Sequence, residues 1–257
     1  MPGGKPLAEP CDLVYLYDGG LEGLYTCVHE SVYLRQLPLD IWPQEEAQPT
    51  LLAKRAVQTD QEKARKVRGA MEKKLTLRTR ELVETVFLSC LEHKEIKILR
   101  FLLRSFQEGP RTLDRPDHPE VAPLLKAERQ LLNEAHLFTG FVRFADIDGK
   151  LAATIRPKNF VLPFLAEHFM ERYPGEDFMI YDKTHGAALL YQRGRGEIVR
   201  VASFEAGEVS ETETRYQALW KALYETVAIE ARYNPKCRMT HMPKRYWPEM
   251  TETKRYL

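Results

Sequence analysis

The spacing of apolar side chains changes twice along the chain, and each change predicts a different kind of element. Residues 13–17 are bulky β-formers, Leu-Val-Tyr-Leu-Tyr, followed by the turn Asp18-Gly19-Gly20, the pattern of a strand. Beyond it Leu21, Leu24, Tyr25, Val28 and Val32 recur every three or four residues, which predicts a helix packed on that strand. Pro38 and Pro43 bracket a short extended piece around Ile41 and Trp42, and a loop runs on to Pro49. The middle of the chain keeps the helical period. A capped start at Thr59-Asp60-Gln61-Glu62 leads into the stripe Ala64, Val67, Met71 and Leu75. A second helix carries Leu82, Val83, Val86, Phe87 and Cys90, and a third Ile96, Leu99, Leu102, Leu103 and Phe106. Gly109-Pro110 stops the third, and a fourth with Val121, Leu124, Leu125, Glu128, Leu131, Leu132 and Ala135 leads to Thr139-Gly140.

At Gly140 the period falls from about 3.6 to about 2. Residues 141–144 and 151–155 read as a hairpin around a turn at 146–149 that ends in Asp-Gly. Asn159 is placed to cap a helix that buries Phe160, Phe164, Leu165 and Phe169, with Pro163 tolerated in its first turn. Strands at 178–181, 187–191 and 197–201 are joined by turns too short to hold helices, which predicts an antiparallel meander. After an acidic stretch at 205–213, one side of a last helix is marked by Tyr216, Leu219, Trp220, Leu223 and Val227, and Asn234-Pro235 stops it. The expectation is one α+β domain over residues 1–257. It comprises a strand and helix in 1–53, a helical segment in 54–138, an antiparallel sheet with one inserted helix in 139–203, and a C-terminal helix with a basic and aromatic arm in 212–257.

Composition alters this picture little, because 44% hydrophobic residues suit a packed globule of this length. Charge alters it more. The formal net charge of +1 hides an asymmetry: residues 1–53 carry two Lys/Arg against eight Asp/Glu, residues 54–80 ten against three, and residues 232–257 seven against two. An anionic partner would meet two positive patches. Cys11, Cys27, Cys90 and Cys237 have no zinc-site or C-x-x-C spacing and read as reduced, mostly buried thiols. No secretion-like segment or long apolar run occurs, so the cytosol is the expected compartment and no membrane partner is expected.

Candidate chemistry comes from four places. His168 and Arg172 are four apart on a predicted helix, with Asp182 at the end of the next strand. In one reading Arg172 holds a phosphate or carboxylate while His168 and Asp182 move a proton, with Lys158 and Arg143 completing an anion site. A salt bridge tying helix to strand is the commoner use of such residues. The loop Asp18-Gly-Gly-Leu-Glu-Gly23 invites a phosphate-cradling reading, but it lacks the Walker or dinucleotide spacing, and a tight strand-to-helix connection is preferred. The basic segment 54–80, with Lys66, Lys73 and Lys74, can neutralise backbone phosphates or can be a solvated face. The C-terminal arm sets Lys244 and Arg245 beside Tyr246 and Trp247, a mixture suited to single strands, but an arm that folds back with Trp247 filling a core gap is the preferred reading. No motif calls for a cofactor or a metal.

Several segments carry a resemblance: Tyr17-Asp-Gly-Gly-Leu-Glu-Gly-Leu24, Gly140-Phe-Val-Arg-Phe144, Ile155-Arg-Pro-Lys-Asn-Phe160, Glu167-His-Phe-Met-Glu-Arg172, Ile180-Tyr-Asp182, Asn234-Pro235 and Met242-Pro-Lys-Arg-Tyr-Trp247. They resemble an uncharacterised bacterial family linked to DNA repair and DNA metabolism. Its members stand alone, as companions of a radical-SAM protein of DNA modification or repair, or are fused to a uracil-DNA-glycosylase-superfamily domain. The resemblance implies a context and no reaction, since the family has no established catalytic residues. The leading expectation is a nucleic-acid-binding accessory of such a repair enzyme. The rivals are an enzyme acting on a nucleotide or DNA end through His168, Arg172 and Asp182, and a protein-interaction scaffold.

Overall fold

In the computed structural model the described residues are 6–147, 149–201, 204, 211–226 and 234–253. The chain is α+β and divides into two compact units, Met1–Leu131 and Leu132–Leu257, where the sequence pattern suggested one domain. Each unit has its own apolar core. No helix among the described residues is long and apolar enough to cross a membrane.

The first unit is built on a three-stranded parallel sheet in the order β2-β1-β3, from β1 (Glu9–Tyr17), β2 (Gln36–Pro43) and β3 (Ala53–Ala56). Two adjacent parallel strands need a crossover, and α1 (Leu21–Leu34) supplies the one between β1 and β2. It buries Leu24, Tyr25, Cys27 and Val28, the inward phase of the periodic stripe. β3 has no counterpart in the sequence reading. Its residues, Ala-Lys-Arg-Ala, are largely exposed at the sheet edge and show neither alternation nor β-forming side chains. The helices α2 (Gln61–Lys74), α3 (Leu77–Phe87) and α4 (Lys94–Glu108) add to the unit, the last packed against β2, α1 and α3, and the start of the next helix adds Leu124 and Ala127 to its core. Asp60 caps α2 as expected, its carboxylate accepting from the backbone N–H groups of Glu62 and Lys63.

The second unit holds a five-stranded sheet in the order β4-β5-β6-β7-β8. The strands are β4 (Ala145–Ile147), β5 (Lys150–Ile155), β6 (Phe178–Asp182), β7 (Ala187–Gln192) and β8 (Arg195–Arg200). The β6-β7-β8 meander is antiparallel, with Phe178 opposite Tyr191 and Leu189 opposite Ile198. The pair β5–β6 is parallel, Leu151 facing Phe178 and Ile155 facing Asp182, because the inserted helix α6 (Leu162–Arg172) returns the chain to the same end of the sheet. Three further expectations are corrected. Residues 141–144 are not a strand, since α5 (Ala122–Phe141) continues past Gly140 and keeps Ala135 and Phe138 buried in one stripe. Asn159 does not cap α6; that position is Val161, and the Asn159 amide is turned to Glu134 instead. Asn234-Pro235 opens a helix: Asn234 caps α8 (Pro235–His241), accepting from Cys237 N–H, with Pro235 in the first turn. The expected end of the preceding helix, α7 (Glu211–Thr226), lies outside the described residues, as does Val227.

Candidate nucleic-acid interface

The basic segment 54–80 divides sharply once folded. α1 and α2 pack side by side, so carboxylates of the acidic first segment meet the cations of the second. Glu30 takes Lys63 at 2.7 Å and Arg55 at 3.7 Å, and Glu22 takes Arg68 at 3.2 Å. Arg80 reaches Glu72 at 2.7 Å, Arg65 reaches Glu62 at 3.9 Å, and Arg78 is gripped by both oxygens of the buried Glu128. The hydrogen bonds that Lys63 and Arg78 donate to Glu30 and Glu128 raise their pKa values, keeping both firmly charged but internally paired. Lys54 donates to the Gln48 carbonyl. Lys66, Lys73 and Lys74 are exposed and make no salt bridge among the described residues. Lys66 and Lys73 lie about two turns apart on the side of α2 away from its buried Ala64, Val67 and Met71, and Lys74 follows about 100° further round the helix.

The loop after β1 holds no anion cradle. Asp18 itself occupies the α1 N-terminus, accepting from Gly20 N–H at 2.9 Å and from the Thr59 hydroxyl at 2.6 Å. A methyl group on Gly23 would lie 2.1 Å from Asp18 Oδ1 and 2.9 Å from the Tyr17 ring, so glycine here serves close packing. A fixed carboxylate where a phosphate would dock repels it, which leaves the tight strand-to-helix connection as the physical reading.

In the second unit the motif segments meet in two buried-carboxylate clusters. Glu134 of α5 accepts from the backbone N–H groups of Lys158 and Asn159 at 3.0 and 2.9 Å and from the Asn159 amide at 2.6 Å. Arg245 closes the set at 3.1 Å and lies over the Tyr246 ring. Glu252 takes Arg143 at 2.6 Å and the Trp220 indole N–H at 3.1 Å. Burial pushes the Glu252 carboxyl up, but the hydrogen bonds and charge of Arg143, with the indole N–H, bring it below the ordinary glutamate range. Arg143 and Arg245, expected to hold phosphate, are therefore engaged inside the protein. Trp247 is corrected as well: it is 3% exposed and donates its indole N–H to the Met242 carbonyl, so it offers no face to a base. Lys244 is exposed, its ammonium 5.8 Å from the Trp247 ring centre, and Lys158 is exposed beyond its backbone bond to Glu134.

No hydrogen bond or ion pair among the described residues joins His168, Arg172 and Asp182, and the Asp182 carboxylate is taken by groups two and three residues on. That buried carboxylate accepts from Thr184 and His185 N–H and meets His185 Nδ1 at 2.6 Å, closing the turn after β6. The buried Nε2 of His168 has no hydrogen-bond partner among the described residues, and its ring packs edge-on against Phe169. His185, to which no role is assigned above, is thus oriented by a carboxylate, with Phe160 across its ring, as His93 is by Asp40 at 2.5 Å in the first unit.

Arg172 goes elsewhere. It is exposed, its guanidinium lies 5.8 Å from the Tyr173 ring centre, and it lines a groove of about 830 Å³ between α7 and the 140–144 and 172–173 segments. The apolar side chains that mark one side of α7 stay largely uncovered there: Tyr216 is 65% exposed, Leu219 64%, Leu223 53% and Trp220 42%. Glu134 could have been suspected from sequence, since it falls in the apolar phase of α5 with Leu131, Ala135 and Phe138. Glu252 and Tyr173 carried no such signal. Cys90 and Cys237 are exposed rather than buried, and no group of three or more metal-binding side chains occurs among the described residues.

The model of a family described as a domain of unknown function, DUF4130, matches residues 92–252, more than half of the chain and nearly all of the second unit. No curated protein matches the chain.

Proposed function

The chain belongs to the DUF4130 family, and we propose that it is a nucleic-acid-binding accessory of DNA metabolism that leaves bond breaking to another enzyme. One observation carries this reading: folding pairs most of the basic segment with carboxylates yet leaves Lys66, Lys73 and Lys74 exposed along α2 without a salt bridge among the described residues. Their ammonium groups suit backbone phosphates, which fix position without reading sequence. The motif resemblance suggests the setting, beside a radical-SAM or uracil-DNA-glycosylase-superfamily protein that would supply radical chemistry or base excision.

The test is duplex binding at low salt. Lys66→Gln, Lys73→Gln and Lys74→Gln together are expected to weaken it about ten-fold or more, for any sequence. Replacing Arg68, already paired with Glu22, is expected to change it less than about two-fold. Absence of binding by the unaltered protein at low salt rejects the reading.

A second reading, an enzyme acting on a nucleotide or DNA end, is favoured by the Asp182–His185 pair at the carboxyl end of the parallel β5–β6 pair. There an oriented imidazole could take a proton. Turnover of nucleotide or DNA-end substrates that His185→Ala leaves intact would remove His185 from that role.

A further inference from the structure

We infer that the groove beneath α7 holds the bases of an unpaired DNA strand. This inference rests on the nucleic-acid reading and deepens it.

The groove is lined by Phe144, Arg172, Tyr173, Tyr216 and Trp220, among others. Trp220 is the centre of the argument. Its indole N–H is anchored on Glu252 at 3.1 Å and the Arg143 guanidinium lies 5.8 Å from its ring centre, so the plane of the ring is set before any ligand arrives. Yet 42% of the residue remains exposed, and Tyr216, one turn earlier on α7, is 65% exposed. Tyr173 stands on the other wall, its ring parallel to Phe169 within 4° and edge-on to Phe144. Two aromatic walls with fixed planes make stacking surfaces, and every base has a face to stack.

Charge decides among possible occupants. Arg172 projects at the groove without a carboxylate partner among the described residues, and an apolar peptide helix seated there would have to desolvate that guanidinium. A polyanion satisfies it with a phosphate. Glu213, the acidic group on the wall, accepts from the Asp146 N–H and the Gln217 amide but keeps its charge, so the phosphate is held at Arg172 and only base faces pass Glu213. Bases in a duplex have both faces covered by their neighbours. Only an unpaired strand can offer ring faces and phosphates together, so the groove selects single strands whereas the α2 lysines accept any backbone.

The experiment measures anisotropy of a labelled oligothymidylate and of a labelled duplex with the full chain and three variants. Trp220→Ala and Tyr216→Ala are each expected to weaken oligothymidylate binding about ten-fold or more, and duplex binding less than about two-fold. Tyr216 makes no hydrogen bond among the described residues and is mostly exposed, so its variant separates lost stacking from lost folding. Arg172→Gln is expected to weaken oligothymidylate binding and flatten its salt dependence. Unchanged oligothymidylate binding in both aromatic variants, with duplex binding intact, overturns the groove and leaves the α2 reading standing. A dimer that Tyr216→Ala converts to a monomer, with oligothymidylate affinity unchanged, assigns the face to a second copy and likewise overturns it. No binding of either nucleic acid by the unaltered protein overturns both.

Discussion

Glu134→Ala is expected to destabilise the second unit by about 3–5 kcal/mol, the largest loss predicted for any single substitution considered. The Glu134 side chain is almost fully buried and organises the loop between β5 and α6 through two backbone N–H groups and the Asn159 amide, while Arg245 supplies the balancing charge. Alanine removes one acceptor group and leaves four donors to be satisfied. The Asn159 N–H is buried, so water cannot readily replace the carboxylate there. Glu134→Gln keeps one acceptor oxygen but turns an NH2 toward donors, so it is expected to recover only part of the loss. Equilibrium urea unfolding followed by circular dichroism measures both, and a loss below about 1 kcal/mol in Glu134→Ala would show that the loop does not depend on this carboxylate.

Arg143→Ala is expected to cost about 3 kcal/mol near neutral pH, and the cost is expected to shrink in acid. Glu252 is buried and Arg143 is its charge partner, so the variant leaves a carboxylate that must either stay charged without compensation or take up a proton. The sign follows from the lowered pKa of Glu252 in the folded protein. A depressed carboxyl contributes stability that is fully present above its unfolded value, about 4.3, and is lost as pH falls through the folded value. The unaltered protein should therefore lose stability in that acid window. The variant, in which Glu252 lacks the guanidinium and its pKa rises, should lose less there. Thermal unfolding from neutral pH down to the acid limb tests this, and a stability difference that stays constant with pH would contradict the linkage. Because Trp220 donates to the same carboxylate, its fluorescence should shift in Arg143→Ala.

Elements with a strong period were legible in the sequence. The stripes Ala64, Val67, Met71 and Ile96, Leu99, Leu102, Leu103 lie buried in α2 and α4, because a helix packed on a core must place its apolar side chains in that phase. β3 was not legible, since a short edge strand paired on one side is held by backbone bonds that any side chain permits. The end of α5 was misread because Phe141 fits a helical stripe as well as an alternating strand. For the candidate site, the partners of the charged residues were not legible. The pairs Lys63–Glu30 and Arg68–Glu22 join residues 33 and 46 positions apart, and nothing local announces them. The same holds for Asp182, where a three-residue turn to His185 prevailed over a longer reach to His168. Local closure needs less chain ordering, which is why it wins when both are sterically open.

Few cations of the basic segment remain available to a polyanion, and the salt dependence of duplex binding counts them directly. The slope of log K against log salt is expected to flatten by about 3 between the unaltered protein and the variant lacking Lys66, Lys73 and Lys74, since each phosphate neutralised contributes about 0.9. A slope that the three substitutions leave unchanged, or an unaltered protein whose binding does not respond to salt, would contradict this reading.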